Sequence, residues 1–236
     1  MRKKGSAGRR SKDEVYGIGS TEEGNMMENR ISLPPAIEER LAGRELVEIT
    51  ENHVSGDLVY GVGDEYILKI SEQVERLKRE QIMNDFLTGR LPVSQTVLFE
   101  SEAGKAFYLK TMLQGENLAK RKYLSDPQEL VRLLARAMGM IHSVDPGSCP
   151  VKNPDSEGDC FIHGDFCLPN ILVKDGKVSG FIDTEAAGIG DPWMDYAWCI
   201  WSLEYNLGTD QYTGLLLDAL GIEFDRGKYE RYTSLN

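Results

Sequence analysis

The chain has 236 residues, 41% of them hydrophobic, enough to bury a substantial core as one domain or two lobes. No apolar run approaches the roughly 18 residues of a membrane span, no secretory signal is visible, and four cysteines without a Cys-x-x-Cys pair beside three histidines argue against zinc and for reduced thiols in a cytoplasm. Of 27 basic side chains six lie in residues 1–12, which hold no acid, so the remainder carries 21 against 38 acidic groups, or −17. That balance disfavours nucleic acid as a partner of the folded body and suits either a polycationic small molecule or a plain solvated acidic surface.

Residues 1–30 are Gly-, Ser- and charge-rich without apolar periodicity and read as a disordered or weakly ordered extension, most simply a solvated tail. Glu22-Glu-Gly-Asn-Met26 can be encoded by a purine-rich run like a ribosome-binding site, so translation is expected to start at Met26 or Met27. Residues 31–113 then read as a small antiparallel sheet with one helix. Leu46-Val-Glu-Ile, Leu58-Val-Tyr and Tyr66-Ile-Leu-Lys-Ile70 are three strands, with Ser55-Gly-Asp57 and Gly63-Asp64 supplying hairpin turns. Val74, Leu77, Ile82 and Phe86 fall near helical spacing, giving a helix over 72–89 that ends at Gly89. Val97-Leu-Phe-Glu and Ala106-Phe-Tyr-Leu-Lys complete the sheet.

Residues 114–236 are mainly helical. Asp126-Pro-Gln-Glu supplies an N-cap, a proline at the first helical position and an early acid, and the stripe Leu130, Leu133, Leu134, Met138, Ile141 faces a core. His142 on that face reads as a satisfied core histidine. Two short strands follow near Ile171 and Val178, Asp191-Pro-Trp opens a helix through Trp198 and Leu203, and Asp210–Leu220 and Asp225–Tyr232 are the last helical candidates.

The chemistry concentrates in Phe161-Ile-His-Gly-Asp-Phe-Cys-Leu-Pro-Asn170-Ile-Leu-Val and Gly180-Phe-Ile-Asp183. A carboxylate (Asp165), a carboxamide five positions on (Asn170) and a second carboxylate (Asp183) surround two apolar runs. Phosphoryl transfer from a metal-bound nucleoside triphosphate needs such a set: one carboxylate to orient a hydroxyl and accept its proton, and an amide–carboxylate pair to hold magnesium. Pro169 is expected to keep Leu168 extended and so stiffen the carboxamide. His163 is read as a brace of this loop, and Asp191 and Asp195 as scaffold, Asp191 as an N-cap.

The order His-x-Asp-x4-Asn, strand, turn, strand, Asp is that of the kinase catalytic loop, with Gly164 where protein kinases have Arg. His163 to Asn170 together with Lys177-Val-Ser-Gly-Phe-Ile-Asp183 resembles the aminoglycoside 3′-phosphotransferases, the kanamycin and neomycin kinases, and the similarity runs from about Val47 to the C-terminus. The resemblance implies an α+β, bilobal protein-kinase-like fold, with 31–113 as a nucleotide-binding N-lobe and 114–236 as a catalytic and substrate-binding C-lobe. It implies Asp165 as catalytic base, Asn170 and Asp183 as Mg2+ ligands, and Lys69 on the α- and β-phosphates of ATP or GTP, oriented by Glu80 unless that pair is merely exposed. Ser55 would cover the phosphates, and the hinge from Thr111 to Leu113 would read the base through its backbone.

This chain departs from that family in three places. Only Pro146 to Ile162 fills the gap where the drug-covering helical cap is expected, Asp183-Thr-Glu-Ala186 replaces a Gly-Arg pair after the metal aspartate, and the C-terminus at Ser234-Leu-Asn236 looks a few residues short. Asp155, Glu157 and Asp159 could attract an amino sugar or form a disordered acidic loop. A protein kinase is disfavoured because no Ala-Pro-Glu segment is present. The expected activity is therefore phosphorylation of an aminoglycoside, with another metabolite alcohol, or a nucleotide-binding remnant without turnover, as alternatives. The sequence leaves the oligomeric state open.

Overall fold

Short apolar runs separated by turns build an antiparallel sheet in the first half of the chain. The computed structural model describes residues 32–50 and 56–234, so the expected extension over 1–30, the proposed start codon and Ser55 lie outside the described residues. Helix α1 (Pro35–Leu41), which the sequence reading did not foresee, begins on a proline and buries Ile37 and Leu41. Strands β1 (Val47–Glu48), β2 (Leu58–Val62) and β3 (Tyr66–Ser71) follow, then helix α2 (Val74–Leu87), β4 (Thr96–Glu102) and β5 (Lys105–Thr111). The five strands pair antiparallel in the order β1-β2-β3-β5-β4. Helix α2 stops two residues before Gly89: Thr88 N–H still bonds Asn84 O, and the chain turns at Gly89 with φ +81°.

The register between β3 and β5 sets Lys69 opposite Tyr108 and Ile67 opposite Lys110. Because side chains alternate along a strand, Lys69 and Lys110 share one face as diagonal neighbours. Helix α2 packs on that face, with Leu77 against Ala106 and Tyr108.

The rest of the chain holds β6 (Glu116–Asn117), α3 (Arg121–Leu124), α4 (Pro127–His142), β7 (Cys160–Ile162), β8 (Ile171–Lys174), β9 (Lys177–Phe181), β10 (Gly188–Gly190), α5 (Trp193–Leu207), α6 (Thr213–Leu220) and α7 (Arg226–Thr233). Strands β6, β8 and β9 form one antiparallel sheet, β7 and β10 another. Helix α4 is capped as its sequence indicates, Asp126 Oδ1 accepting from Glu129 N at 3.2 Å. Its stripe Leu130, Leu133, Leu134, Met138 and Ile141 is buried against Phe161, Phe166, Ile171, Phe181 and Ile200. At about 1.5–3 kcal/mol for each large side chain removed from water, this stripe is the main attachment of the helix and the platform on which the catalytic loop sits. Helix α7 docks on α5 through Tyr232, which is buried beside Met194, Ala197 and Trp198. No helix of the described residues is long and apolar enough to cross a membrane.

Candidate active site

The loop leaving β7 carries His163, Gly164 and Asp165, and its position is fixed from behind by Asp195. That carboxylate, in the first turn of α5 and fully buried, accepts from His163 N at 2.9 Å and Gly164 N at 2.8 Å, and its Oδ2 lies 3.1 Å from His142 Nε2. His142 is thereby the satisfied core histidine that the sequence suggests. Gly164 has φ +81°, and a Cβ there would lie 2.3 Å from Ala186 O, so the position admits no side chain without moving backbone. His163 Nε2 is 3.1 Å from Ile182 O, which requires the proton on Nε2 and leaves Nδ1 to accept from Asp165 N at 3.4 Å. The ring braces the loop on both sides.

Leu168–Asn170 forms a 3-10 turn entered from an extended Cys167, so the expectation of an extended Leu168 is corrected. Proline fits the start of such a turn because the N–H it lacks would be unpaired there. Asn170 is held as expected, by its own donors: Nδ2 gives hydrogen bonds to Asp165 Oδ2 at 2.8 Å and to Asp165 O at 3.0 Å. Its side-chain oxygen Oδ1 has no partner among the described residues, whereas its backbone O accepts from Ile182 N at 3.1 Å.

Asp183 follows β9 in the left-handed conformation, φ 56°, ψ 56°, which an Asp tolerates better than most residues. Its Oδ1 accepts from Lys69 Nζ, which also donates to Glu80 Oε2 at 2.9 Å. The other oxygen of Glu80 accepts from Lys110. Lys69, Glu80 and Lys110 are all buried, which rules out the reading of Lys69 and Glu80 as an exposed pair. Burial opposes every charge in this cluster. The two lysines nevertheless override it at Glu80, whose carboxyl stays below its ordinary range, and at Asp183, which Lys69 and then Lys110 bring down to about 2. Lys69 is raised despite burial because Glu80 and Asp183 both face it; Lys110 is lowered because burial and Lys69 outweigh Glu80.

Two cavities meet at these residues. One, of about 220 Å³, is walled by Val59, Ile67, Met112, Leu113, Leu172 and Ile182 and edged by Lys69, Asn170 and Asp183. The other, of about 440 Å³, reaches Asp165, Arg76, Glu185 and one face of α5. They share Val59, Lys69, Pro169, Asn170 and Asp183. Leu113, named in the hinge reading, lines the smaller cavity. Thr111 lines neither cavity, and its N–H and hydroxyl are both engaged with Gln95 at 2.9 Å; Met112 lines the smaller cavity, its own N–H bonded to Glu65 O at 2.7 Å. Asp155, Glu157 and Asp159 line neither cavity. Their loop is tied down instead, by Asn153 N to Ile189 O at 3.0 Å, Asn153 Nδ2 to Ala186 O at 2.7 Å and Asp155 N to Asn153 Oδ1 at 2.8 Å.

Sequence reasoning missed Lys110, Arg76 and Glu185. Arg76 bridges Asp57 and Glu185, the latter at 2.7 Å. Glu185 Oε2 is buried without a partner among the described residues, and burial together with Glu80 raises its carboxyl. Oxygens of Glu80, Asp183 and Glu185 lie within 4.8 Å of one another. The spacing Asp183-Thr-Glu185 was the available signal.

A sheet-and-helix α+β fold with a lysine–glutamate pair under one cavity and a His-x-Asp-x4-Asn loop at its junction with another is the fold of kinase-like phosphotransferases. The phosphotransferase enzyme family model (APH) matches residues 52–158 and 149–232. The chain belongs to that family. An aminoglycoside 3′-phosphotransferase of Enterococcus faecalis is 30% identical over 68% of this chain and 78% of its own length. One of Staphylococcus aureus is 29% identical over 88% of this chain and 98% of its own. The crystal structure of the type VIII aminoglycoside-3′-phosphotransferase superposes with a TM-score of 0.71 at 18% identity, over 84% of this chain and 94% of that one. The Staphylococcus alignment spans 260 positions but takes in 88% of 236 residues, about 208, so about 50 positions of the relative face gaps here. The two matched stretches of the family model overlap at 149–158, inside the segment where the cap was expected to be short.

Proposed function

We propose that this protein transfers the γ-phosphate of ATP, with GTP as a possible alternative donor, to a hydroxyl of an aminoglycoside. The single observation that carries the reading is the junction of the two cavities at Lys69, Asn170 and Asp183, with Asp165 on the larger side. The smaller cavity has apolar walls for a base and a hinge at Met112–Leu113; the larger one takes the acceptor. Lys69 binds phosphate oxygens as a charge already oriented by Glu80. Asp165 accepts the acceptor's proton at Oδ1, because Asn170 holds Oδ2.

Asn170 Oδ1 and the carboxylate of Asp183 fit Mg2+: both are hard oxygen donors, both lie at the cavity junction, and the amide oxygen is uncommitted. When bound there, the ion supplies charge neutralisation of the phosphates. Residues 31–113 serve as the nucleotide lobe and 114–236 as the acceptor lobe. The similar proteins named above as aminoglycoside 3′-phosphotransferases support this acceptor class.

The test incubates the full chain with Mg-ATP and kanamycin, neomycin, choline or glucose, measuring ADP release and phosphorylated product by mass spectrometry. Kanamycin or neomycin should raise ADP release and gain one phosphoryl group. If a neutral alcohol alone does so, the chain is a metabolite kinase; if none does, the remnant reading replaces the proposal.

A further inference from the structure

One wall of the larger cavity is a face of helix α5 formed by Trp201, Ser202, Tyr205 and Asn206, spaced at i, i+1, i+4 and i+5 so that they point one way. None is charged. The rings of Trp201 and Tyr205 stack at 5.2 Å with 13° between planes, and Trp201 is held edge-on by Trp198 at 5.6 Å. Trp198 is buried, whereas Trp201 is 36% and Tyr205 67% exposed. Neither the indole N–H nor the phenol O–H has a hydrogen-bond partner among the described residues, while Ser202 Oγ is taken by Leu168 N at 3.0 Å.

Most carboxylate oxygens of this cavity are engaged by cations, and Glu185 Oε2, which has no partner among the described residues, is buried. Asp57 and Glu185 pair with Arg76, and Asp183 pairs with Lys69. Asp165 is left for the acceptor hydroxyl. A cationic acceptor therefore finds on α5 an uncharged, stacked aromatic pair, each ring of which keeps only its outer face and edge for a ligand.

We infer that the Trp201–Tyr205 pair is the acceptor subsite and recognises an ammonium-bearing sugar ring by cation–π and face contact. This rests on the proposed phosphotransfer for its orientation toward Asp165. Stacked, rigidly backed rings lose little freedom on binding, and a desolvated cation–π contact is worth about 1–2 kcal/mol, or roughly 5- to 30-fold in affinity. Because none of the four α5 residues is charged, this subsite grips one ammonium-bearing ring rather than counting charges.

The experiment is calorimetric titration of kanamycin into wild type, Tyr205→Ala, Trp201→Ala and Trp201→Phe, each with ATP affinity measured in parallel. Tyr205→Ala removes an exposed side chain and keeps the fold test clean. Both alanine variants should bind kanamycin roughly 5- to 30-fold more weakly, Trp201→Phe should recover most of the loss, and ATP affinity should stay at the wild-type value. Alanine variants within twofold of wild type, or no kanamycin binding by wild type, would overturn the subsite. Binding that depends on the rings without phosphorylation of kanamycin supports the subsite and sinks the phosphotransfer proposal instead; phosphorylation with ring-independent binding does the reverse.

Discussion

At the scale of single residues, the candidate site turns on which oxygen of a carboxylate is free. Asp165 gives Oδ2 to Asn170, so Asp165→Asn can keep that bond through its amide oxygen while losing the base. We expect nucleotide affinity to persist and turnover to fall about 10²-fold or more; near-normal turnover in stopped-time product assays would remove Asp165 from the chemistry. Asp183 offers a different reading through pH. Its folded pKa, about 2, lies below the ordinary 3.8, so its ion pair stabilises the fold above the unfolded value and that contribution is lost as pH falls through about 2. Urea midpoints should therefore drop between about pH 4 and pH 2 in wild type. Asp183→Asn should start lower at neutral pH and give a flatter curve in that window. Parallel curves would mean that the pair contributes nothing.

Among elements, α5 does two jobs: its first turn holds the catalytic loop through Asp195, and its middle faces the larger cavity. Asp195→Ala would strand two buried backbone N–H groups and His142. At about 1–3 kcal/mol for each of the two buried N–H groups alone, we expect a loss of about 2–6 kcal/mol or more in denaturant unfolding, with kcat falling more than KM rises. A loss under about 0.5 kcal/mol would show that the loop is held by other contacts. Helix α4 and the β8–β9 hairpin were legible in the sequence because each carries a long stripe or a turn at fixed spacing. Strand β10 and helix α1 were not. Gly188-Ile-Gly190 is too short to show a period and exists as a strand only by pairing with β7, and α1 is a seven-residue helix. The fold class and the order of Asp165, Asn170 and Asp183 could be read from the sequence, and Lys69 with Glu80 from the family resemblance; the structure brings all five to the candidate site. Lys110 could not: a lysine closing an apolar strand looks solvated, and only the packing of Glu80 over that face of the sheet buries it. Trp201 was equally silent, since an aromatic three residues after Trp198 reads as core.

For the whole molecule, the long-range field matters more than any pair. The chain after residue 12 carries −17, so a polycation should meet it faster at low salt. Raising ionic strength from about 0.1 M to about 1 M shortens the Debye length from about 10 Å to about 3 Å. Initial rates at limiting kanamycin should fall over that range, and rates with a neutral alcohol should not. Equal salt sensitivity for both would assign the effect to the protein's own stability.

The lysine that joins the sheet to the loop after β9 has a further bearing on the order of events. Lys69 pairs with both Asp183 Oδ1 and Glu80, so a ligand that brings only one sign of charge meets a group already paired. On the proposed reading, a free divalent cation at Asp183 would compete with an ammonium, and a bare polyphosphate at Lys69 with carboxylates. On the same reading the preformed metal–nucleotide chelate would meet both charges at once. The protein should thus behave as a coincidence detector: magnesium alone and ATP in excess chelator should each bind weakly, and the mixture more tightly than their separate affinities combine to give. Calorimetry in the three conditions reads this directly, and simple additivity would show that the internal pair opens without cost.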